Sequence, residues 1–272
     1  MLIVKPSRVS VALPFSSIWF GSHLREKTLR AASLLRYCAI FRVKKIFVIL
    51  DCGDVAKHEE LRDVLEYLLL PPYLKAEVGL KPHLRYVGLA PPIKTPLHTV
   101  SKHPREALTE PVREARVIRV EREGVLLKAG FTFRTIAPNR GRFKTGDHVY
   151  VKVTGLRNDT VFVEPVDSGY LDKIYLEPKI EFVGVGDVGK RLPAGFFKVE
   201  LTRRGEPPLN LVNNPPDRDV IFFVGNQRMD PEDFLDVRFD SMIRLLPEQG
   251  VETVRSEEAL LIALSQMAWV LG

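Results

Sequence analysis

The stretch SMIRLLPEQGVETVRSEE, residues 241–258, places a short strand, a glycine-containing turn and the start of a helix in immediate succession. Residues 241–246 are predicted to form a buried strand and residues 247–250 a turn. Ser256 is predicted as the N-cap of a helix whose first turn carries two glutamates. Such a junction can line a ligand pocket with main-chain atoms, although many strand-turn-helix junctions serve only as connections.

A second loop of the same kind lies about twenty residues earlier. Residues 219–224 (DVIFFV) form a nearly continuous apolar run, typical of a strand covered on both faces, and lead directly into Gly225 and Asn226. A helix is then predicted to begin at Asp230, with Pro231 at its first position. If the two strands are neighbours in a parallel sheet, their loops meet at the carboxyl edge, where open α/β sheets bind ligands.

Composition limits the class of protein. A chain of 272 residues with ordinary apolar and charged content is long enough for two folded domains. It has no apolar stretch long enough to span a membrane, so we expect a cytoplasmic protein. Its two cysteines, Cys38 and Cys52, and its six scattered histidines show no ligand spacing, so we expect no metal.

The positive charge is concentrated in one part of the sequence. The net charge is +6, and residues 98–165 hold thirteen Lys and Arg against eight Asp and Glu. Within this region FTFRTIAPNRGRFK, residues 131–144, combines three phenylalanines with a basic set that could bind the phosphates of single-stranded RNA. The phenylalanines could stack on bases or fill a small barrel. The candidate RNA-binding residues are Arg134, Arg140, Arg142 and Lys144.

Alternating strand and helix patterns predict the fold class. Strands are predicted at residues 9–13, 46–50 and 84–89, and the apolar spacing at residues 24–39 and 61–69 predicts two helices between them. This β-α-β-α-β order favours an α/β fold with a parallel sheet.

A different pattern interrupts the α/β order. From residue 112 to 164 short alternating strands predominate, with a hairpin turn near Glu123 and Gly124, which fits a small all-β barrel of OB type inserted in the α/β domain. We therefore predict three segments: the N-terminal α/β part at 1–97, the barrel at 98–178, and the C-terminal α/β part at 179–272.

The chain resembles the SPOUT methyltransferases, in particular the archaeal and eukaryotic branch whose α/β-knot domain carries an OB-like insertion. The resembling blocks are VSVALPFSSI, LLRYCAIFRVKKIFVILD, LPPYLKAEVGLKPHLRYVGLAPPIKTPLH and LLPEQGVETVRSEEALLIALSQ. The last block is the most specific, because the family pattern is close to P-N-Q-G-x-x-T-V-R-x-E-E-A. This resemblance implies a C-terminal trefoil knot, a homodimer, an RNA substrate and S-adenosylmethionine as cofactor. The implied cofactor-binding residues are Val224, Gly225, Asn226, Leu245, Pro247, Gln249, Gly250, Val254 and Ala259.

The resemblance also implies catalytic candidates. Arg36 matches an arginine that orients or activates the acceptor in related enzymes, although it could be a surface arginine of a helix. Arg255 could bind a phosphate or the methionine carboxylate, and Glu258 could act there or cap the helix. The chain departs from the family at Glu248, which replaces an asparagine, and in FFVGNQR, which lacks a second glycine.

These observations predict an S-adenosylmethionine-dependent RNA methyltransferase that modifies a uridine base or ribose in rRNA or tRNA. A non-catalytic RNA-binding or ribosome-assembly dimer on the same fold is the alternative. A nucleotide-binding enzyme that acts on small substrates is a third interpretation. The sequence identifies no general base.

Overall fold

The structure is a computed structural model, which describes residues 5–98, 100–110, 112–141 and 143–271. The strands in these ranges are β1 (Val9–Pro14), β2 (Lys45–Leu50), β3 (Arg113–Val120), β4 (Val125–Lys128), β5 (Arg134–Ala137), β6 (His148–Arg157), β7 (Thr160–Pro165), β8 (Lys179–Gly184), β9 (Phe197–Glu206), β10 (Val220–Val224) and β11 (Ser241–Ile243). The α-helices are α1 (Phe15–Ile18), α2 (Leu24–Ile40), α3 (Val55–Leu69), α4 (Pro72–Lys75), α5 (Pro104–Ala107), α6 (Ser168–Leu171), α7 (Val188–Arg191), α8 (Leu209–Asn213) and α9 (Ser256–Leu271).

Six strands form one sheet in the order β11-β9-β10-β1-β2-β8, and each neighbouring pair is parallel. The predicted parallel-sheet α/β fold is therefore confirmed. Because the strands are parallel, their carboxyl ends lie at one edge of the sheet. The chain proceeds from β1 to β2 and β8 on one side, and places β10, β9 and β11 on the other. The strand order therefore reverses between β1 and β10, which is where sheets of this type bind ligands.

The two central strands are completely buried. Every residue of β1 and of β10 has a buried side chain, which explains the continuous apolar runs in their sequences. On one face, Ala12, Phe47 and Phe223 pack in a cluster that includes Leu192 and Leu235. Helices α2 and α9 contact each other, and α9 also contacts β10. The sheet therefore packs against helices and buried apolar side chains, which hold its carboxyl edge in place.

The strand predicted at residues 84–89 is absent from the described structure. The chain forms 3-10 turns at Pro82–Leu84 and Val87–Leu89 instead. Only Leu84 of residues 84–89 is buried, and neighbouring Pro82 interrupts extended pairing. The place beside β2 is taken by β8, which pairs with it in parallel over six residues.

The segment after the first loop differs from its prediction. The helix predicted from Asp230 is a single 3-10 turn, Pro231–Asp233, although a capping box between Asp230 and Asp233 is present at its start. The following residues, including Leu235, pack against the sheet and so take the chain out of the helix. The condition under which the two loops would meet as neighbours is not met, because β9 lies between β10 and β11.

The other compact unit contains a closed five-stranded barrel with the order β3-β4-β5-β7-β6. Its pairs are antiparallel except for β5 with β7, and the predicted hairpin joins β3 to β4. Alternating valines fill its interior: Val117, Val125, Val151, Val153, Val161 and Val163. By contact, this unit comprises residues Leu69–Leu80 and Lys94–Leu176 with Lys5, and the α/β unit comprises Pro6–Leu68, Lys81–Ile93 and the chain from Glu177.

Candidate active site

The first loop follows β10 at the carboxyl edge of the sheet. Val224 is buried, with 4% of its surface exposed, and ends the strand. A β-carbon on Gly225 would lie 2.5 Å from the carbonyl oxygen of Met229, so this close approach requires glycine. The main-chain amide of Asn226 donates to that same oxygen at 3.0 Å. The loop is therefore a tight turn that closes on itself.

The second loop, residues 245–254, follows β11 and is mostly exposed. In the described part of the chain, the main-chain amides of residues 246 and 248–254 donate no hydrogen bond to another protein group, and Pro247 has no amide hydrogen. The side chain of Gln249 donates to the carbonyl of Glu252 at 2.8 Å, while Pro247 is exposed. A β-carbon on Gly250 would meet no atom within 4 Å. This loop therefore offers polar main-chain groups beside open space.

Helix α9 connects the two loops. The hydroxyl of Ser256 donates to the carbonyl of Gly225 at 2.9 Å. Further along the helix, the amide of Gln266 donates to the carbonyl of Leu245 at 3.1 Å. Ser256 is thus the first helical residue and a contact to the first loop, whereas the sequence predicted it as the N-cap. Both loops are fixed to the same helix by side-chain hydrogen bonds.

The start of α9 carries the charged candidates. The carboxylate of Glu258 accepts from the main-chain amide of Arg255 at 2.9 Å, which is a capping contact. Glu257 lies 3.7 Å from the guanidinium of Arg30, and both side chains are almost completely buried. Burial lowers the pKa of Arg30, Glu257 opposes this shift, and the charge of Arg255 adds to it. Two arginines and two glutamates therefore interact at this helix end.

The remaining predicted residues lie at the start of α9 and on α2. Val254 and Ala259 are half-buried beside the start of α9, where Ala259 continues the helical hydrogen bonding by donating to Arg255. Arg36 lies on α2, and its guanidinium donates to the carbonyl of Pro92 at 2.5 Å. Helix α2 packs against α9. Arg36 is therefore on the helix adjacent to the candidate site, held by a main-chain oxygen.

A buried carboxyl group supports the turn after the first loop. Glu200 on β9 is fully buried, and its carboxyl group accepts from the amide of Glu232 at 3.0 Å. Burial raises the pKa of Glu200 to about 6. Thr202, on the same strand, donates to Asp230 at 2.7 Å. Strand β9 thus fixes the segment that follows the first loop.

The sequence reasoning missed two polar residues at this edge. Asp51 follows β2 and Ser16 lies just after β1, and Asp51 accepts hydrogen bonds from Ser16 and from Asn226 of the first loop. The available signal was an aspartate placed directly after the apolar strand IFVIL. Its partner on the first loop is 175 residues away in the chain, so no local pattern reveals the contact.

The structure supports the interpretation in which the three phenylalanines of residues 131–144 fill the barrel and do not stack on bases. Phe131, Phe133 and Phe143 pack against the barrel core. The exposed aromatic ring of this surface is Phe162 on β7, with 39% of its area accessible. The four basic candidates have different surroundings. Arg134 pairs with Glu121 at 3.1 Å, Arg140 and Lys144 are exposed, and Arg142 lies outside the described residues.

Residues 5–98, 100–110, 112–141 and 143–271 contain no group of three or more His, Cys, Asp or Glu side chains arranged to hold a metal ion. None of the helices in that part of the chain combines the length and the apolar character needed to cross a bilayer.

Known proteins resemble the chain over most of its length. The profile of a family described as "Putative RNA methyltransferase" matches residues 8–176. A protein of uncharacterised function from Halobacterium salinarum is 25% identical over 95% of this chain and 98% of its own length. A 28S rRNA (uridine-N(3))-methyltransferase of Drosophila melanogaster is 24% identical over 96% of this chain and 62% of the fly protein. The structure of a ribosomal RNA small subunit methyltransferase E from Neisseria gonorrhoeae, bound to S-adenosyl methionine, matches 98% of this chain and 69% of that chain with 12% identity and a TM-score of 0.40.

Proposed function

The chain belongs to the family described as "Putative RNA methyltransferase", and we propose from this membership that it methylates N3 of a uridine in large-subunit ribosomal RNA. The family confirms the predicted class, an S-adenosylmethionine-dependent RNA methyltransferase. The choice of base and RNA is supported by the fly relative, whose name states that specificity. The observation that carries the proposal for this chain is the connection of two exposed carboxyl-edge loops through α9.

We assign the cofactor to the space beside these two loops. S-adenosylmethionine supplies a methyl group bonded to a positively charged sulfur. The unpaired amides of residues 248–254 and the open side of Gly250 suit an adenosyl group that is recognised by main-chain atoms. Gly225, Asn226 and the buried Val224 would form the other wall. Leu245, Pro247, Gln249, Val254 and Ala259 complete the proposed set.

Methyl transfer to N3 of uridine requires removal of the imide proton and alignment of the nitrogen with the methyl group. Arg36 and Arg255 are the proposed cations that bind the acceptor, since a guanidinium can hold a phosphate or a uracil oxygen. Arg36 keeps its orientation through Pro92. We propose that Glu258 acts through the cap it gives Arg255 at the start of α9.

We also propose a knot, an OB-type barrel and the boundaries of the inserted segment. We propose that residues 241–272 complete a trefoil knot, which is supported by the attachment of α9 to both loops. The barrel order, with one parallel pair between β5 and β7, supports an OB-type assignment. We retain residues 98–178 as the inserted segment, between α/β parts at 1–97 and 179–272.

The function is tested with an unmodified large-subunit rRNA made by transcription in vitro. The protein, isotopically labelled S-adenosylmethionine and this RNA are incubated, and the nucleosides are separated by mass spectrometry. We expect labelled 3-methyluridine. Labelled 2′-O-methyluridine would redirect the proposal to the ribose, and RNA binding without cofactor binding or label transfer would favour the non-catalytic alternative.

The first prediction concerns the barrel surface. Replacing Arg134, Arg140 and Lys144 together by Gln should weaken binding of a single-stranded oligouridylate about tenfold or more and reduce its salt dependence, because these cations are expected to contact phosphates. Phe162→Ala should weaken binding while leaving the salt dependence unchanged, because an exposed ring stacks on bases. Fluorescence anisotropy at several salt concentrations measures both effects.

A matched control removes the same charge from the α/β unit. Arg25, Lys190 and Arg191 are exposed, and their replacement by Gln should change oligouridylate affinity less than the barrel triple does. Equal losses for the two triples would contradict a specific role for the barrel surface.

The second prediction concerns assembly. We propose a homodimer through the outer face of α9, where Trp269 is 96% exposed and Ile262 and Ser265 lie on the same side. Trp269→Glu should weaken the dimer about thirtyfold or more, since buried tryptophans are typical interface hot spots. Sedimentation velocity measures the change. Val55→Glu, at a 75% exposed position of α3, is the control and should remain dimeric; a monomeric wild-type protein would overturn the proposal.

A further inference from the structure

Three neighbouring strands end in a polar cluster at the carboxyl edge of the sheet. Asn226 follows β10, Ser16 follows β1 and Asp51 follows β2. The carboxylate of Asp51 accepts from the Ser16 amide at 2.9 Å and from the Ser16 hydroxyl through a short hydrogen bond. It also accepts from the side-chain amide of Asn226 at 3.3 Å. The cluster therefore bridges the point at which the strand order reverses.

Both polar atoms of the Asn226 side chain form hydrogen bonds. Its Oδ1 accepts from the main-chain amides of Arg228 and Met229, each at 2.9 Å, and its Nδ2 donates to Asp51. Its own main-chain amide donates to the carbonyl of Met229. A side chain must combine an acceptor and a donor to make these contacts, and asparagine does so at this length. Asn226 thus shapes the first loop and attaches it to the sheet.

The loop is held from two sides. On the helix side, Ser256 donates to the carbonyl of Gly225. On the sheet side, Asp51 holds Asn226, the next residue. A β-carbon on Gly225 would also lie 3.2 Å from the Cα of Asp230, so the loop packs closely against the segment that follows it. The asparagine that distinguishes FFVGNQR from a double-glycine loop therefore has a partner that explains it.

Asp51 is better suited to holding the loop than to accepting a proton from a substrate. One of its oxygens binds the Ser16 amide, and the other binds the Ser16 hydroxyl and the Asn226 amide. Its acceptor positions thus face protein donors from two other strand ends. A group that removes a substrate proton needs an open acceptor directed at that proton.

We propose that Asp51 is a positioning residue, which acts through Asn226 to hold residues 225–229 in the shape that binds the adenosyl part of S-adenosylmethionine. This inference rests on the proposed function, because it assigns the first loop to the cofactor. In this proposal Asp51 does not contact the methyl donor. It sets the conformation of Asn226, which does.

A charge-swap experiment tests this contact. Asp51→Asn places an amide donor against the donors of Ser16 or Asn226, and Asn226→Asp places two carboxylates side by side. Each single variant should lower the affinity for S-adenosylhomocysteine about ten- to hundredfold in calorimetry. The double variant, Asp51→Asn with Asn226→Asp, restores one donor and one acceptor, so it should recover most of the affinity.

A second readout needs no cofactor. In the unliganded protein, the amides of Arg228 and Met229 should exchange with deuterium faster in both single variants and at nearly the wild-type rate in the double variant. Unchanged exchange in the singles, or a double variant no better than the worse single, would overturn the positioning role. If the wild-type protein binds neither S-adenosylmethionine nor S-adenosylhomocysteine, the proposed function and the cofactor part of this inference fail, and the exchange rates alone decide whether the contact shapes the loop.

Discussion

Gly250→Trp should abolish S-adenosylmethionine binding and leave the fold intact. A β-carbon at this position would meet no atom within 4 Å, so the indole can project from the exposed loop without disturbing a neighbour. It would then occupy the space that the cofactor needs beside the main chain. We expect the dissociation constant to rise about a hundredfold or more, which corresponds to about 2.8 kcal/mol. Calorimetric titration measures the loss, and thermal unfolding checks the fold.

Two variants control for this change. Gly250→Ala adds a methyl group to open space and should bind the cofactor nearly as well as the wild type. Gly186→Trp places the same indole at another open glycine, just after β8 at the opposite edge of the sheet from β11, and should also bind normally. Normal binding by Gly250→Trp, or an equal loss in Gly186→Trp, would contradict the placement of the cofactor at the second loop.

Arg113→Met should produce the largest loss of stability in the barrel unit. The guanidinium of Arg113 is 1% exposed, pairs with Glu110 at 2.8 Å and donates to the carbonyls of Ala129 and Ser101. It also stacks on Phe131, 4.0 Å from the ring centre. Methionine fills much of the volume but removes a charged donor from the Glu110 carboxylate and from both carbonyls. We expect the free energy of unfolding to fall by about 3–5 kcal/mol.

The control lies on the same strand. Arg116 pairs with Glu77 at 2.7 Å, but its side chain is 35% exposed. Water can replace its contacts, so Arg116→Met should cost about 1 kcal/mol or less. Urea unfolding, followed by circular dichroism, compares the two variants. Similar losses at the two positions would show that burial does not determine how much Arg113 contributes to the free energy of unfolding.

The sequence predicted those elements whose pattern is local. Strands β1, β2 and β10 were found because each is an apolar run with a defined end, and α9 because Ser256 and an acidic first turn mark its start. The prediction of a strand at residues 84–89 was wrong because two segments of the chain can compete to pair with the free side of β2. Residues 179–184, which follow the barrel strands in the sequence, pair with β2 instead.

The candidate site was predicted in part for the same reason. Glycine loops can be read from sequence, so Gly225 and Gly250 were named, and the resemblance supplied their neighbours. The contacts that connect these loops to the rest of the fold join distant residues, such as Ser256 with Gly225 and Asn226 with Asp51. No periodicity reports a hydrogen bond across 175 residues, so these partners required the structure.

A crystal structure of the protein with S-adenosylhomocysteine tests the two-loop pocket most directly. The adenosine should lie between residues 225–226 and 245–250, with main-chain groups of both loops about 3 Å from its polar atoms. Adenosine bound elsewhere, for example in the shallow cavity lined by Gly205, Asn210 and Met242, would contradict it.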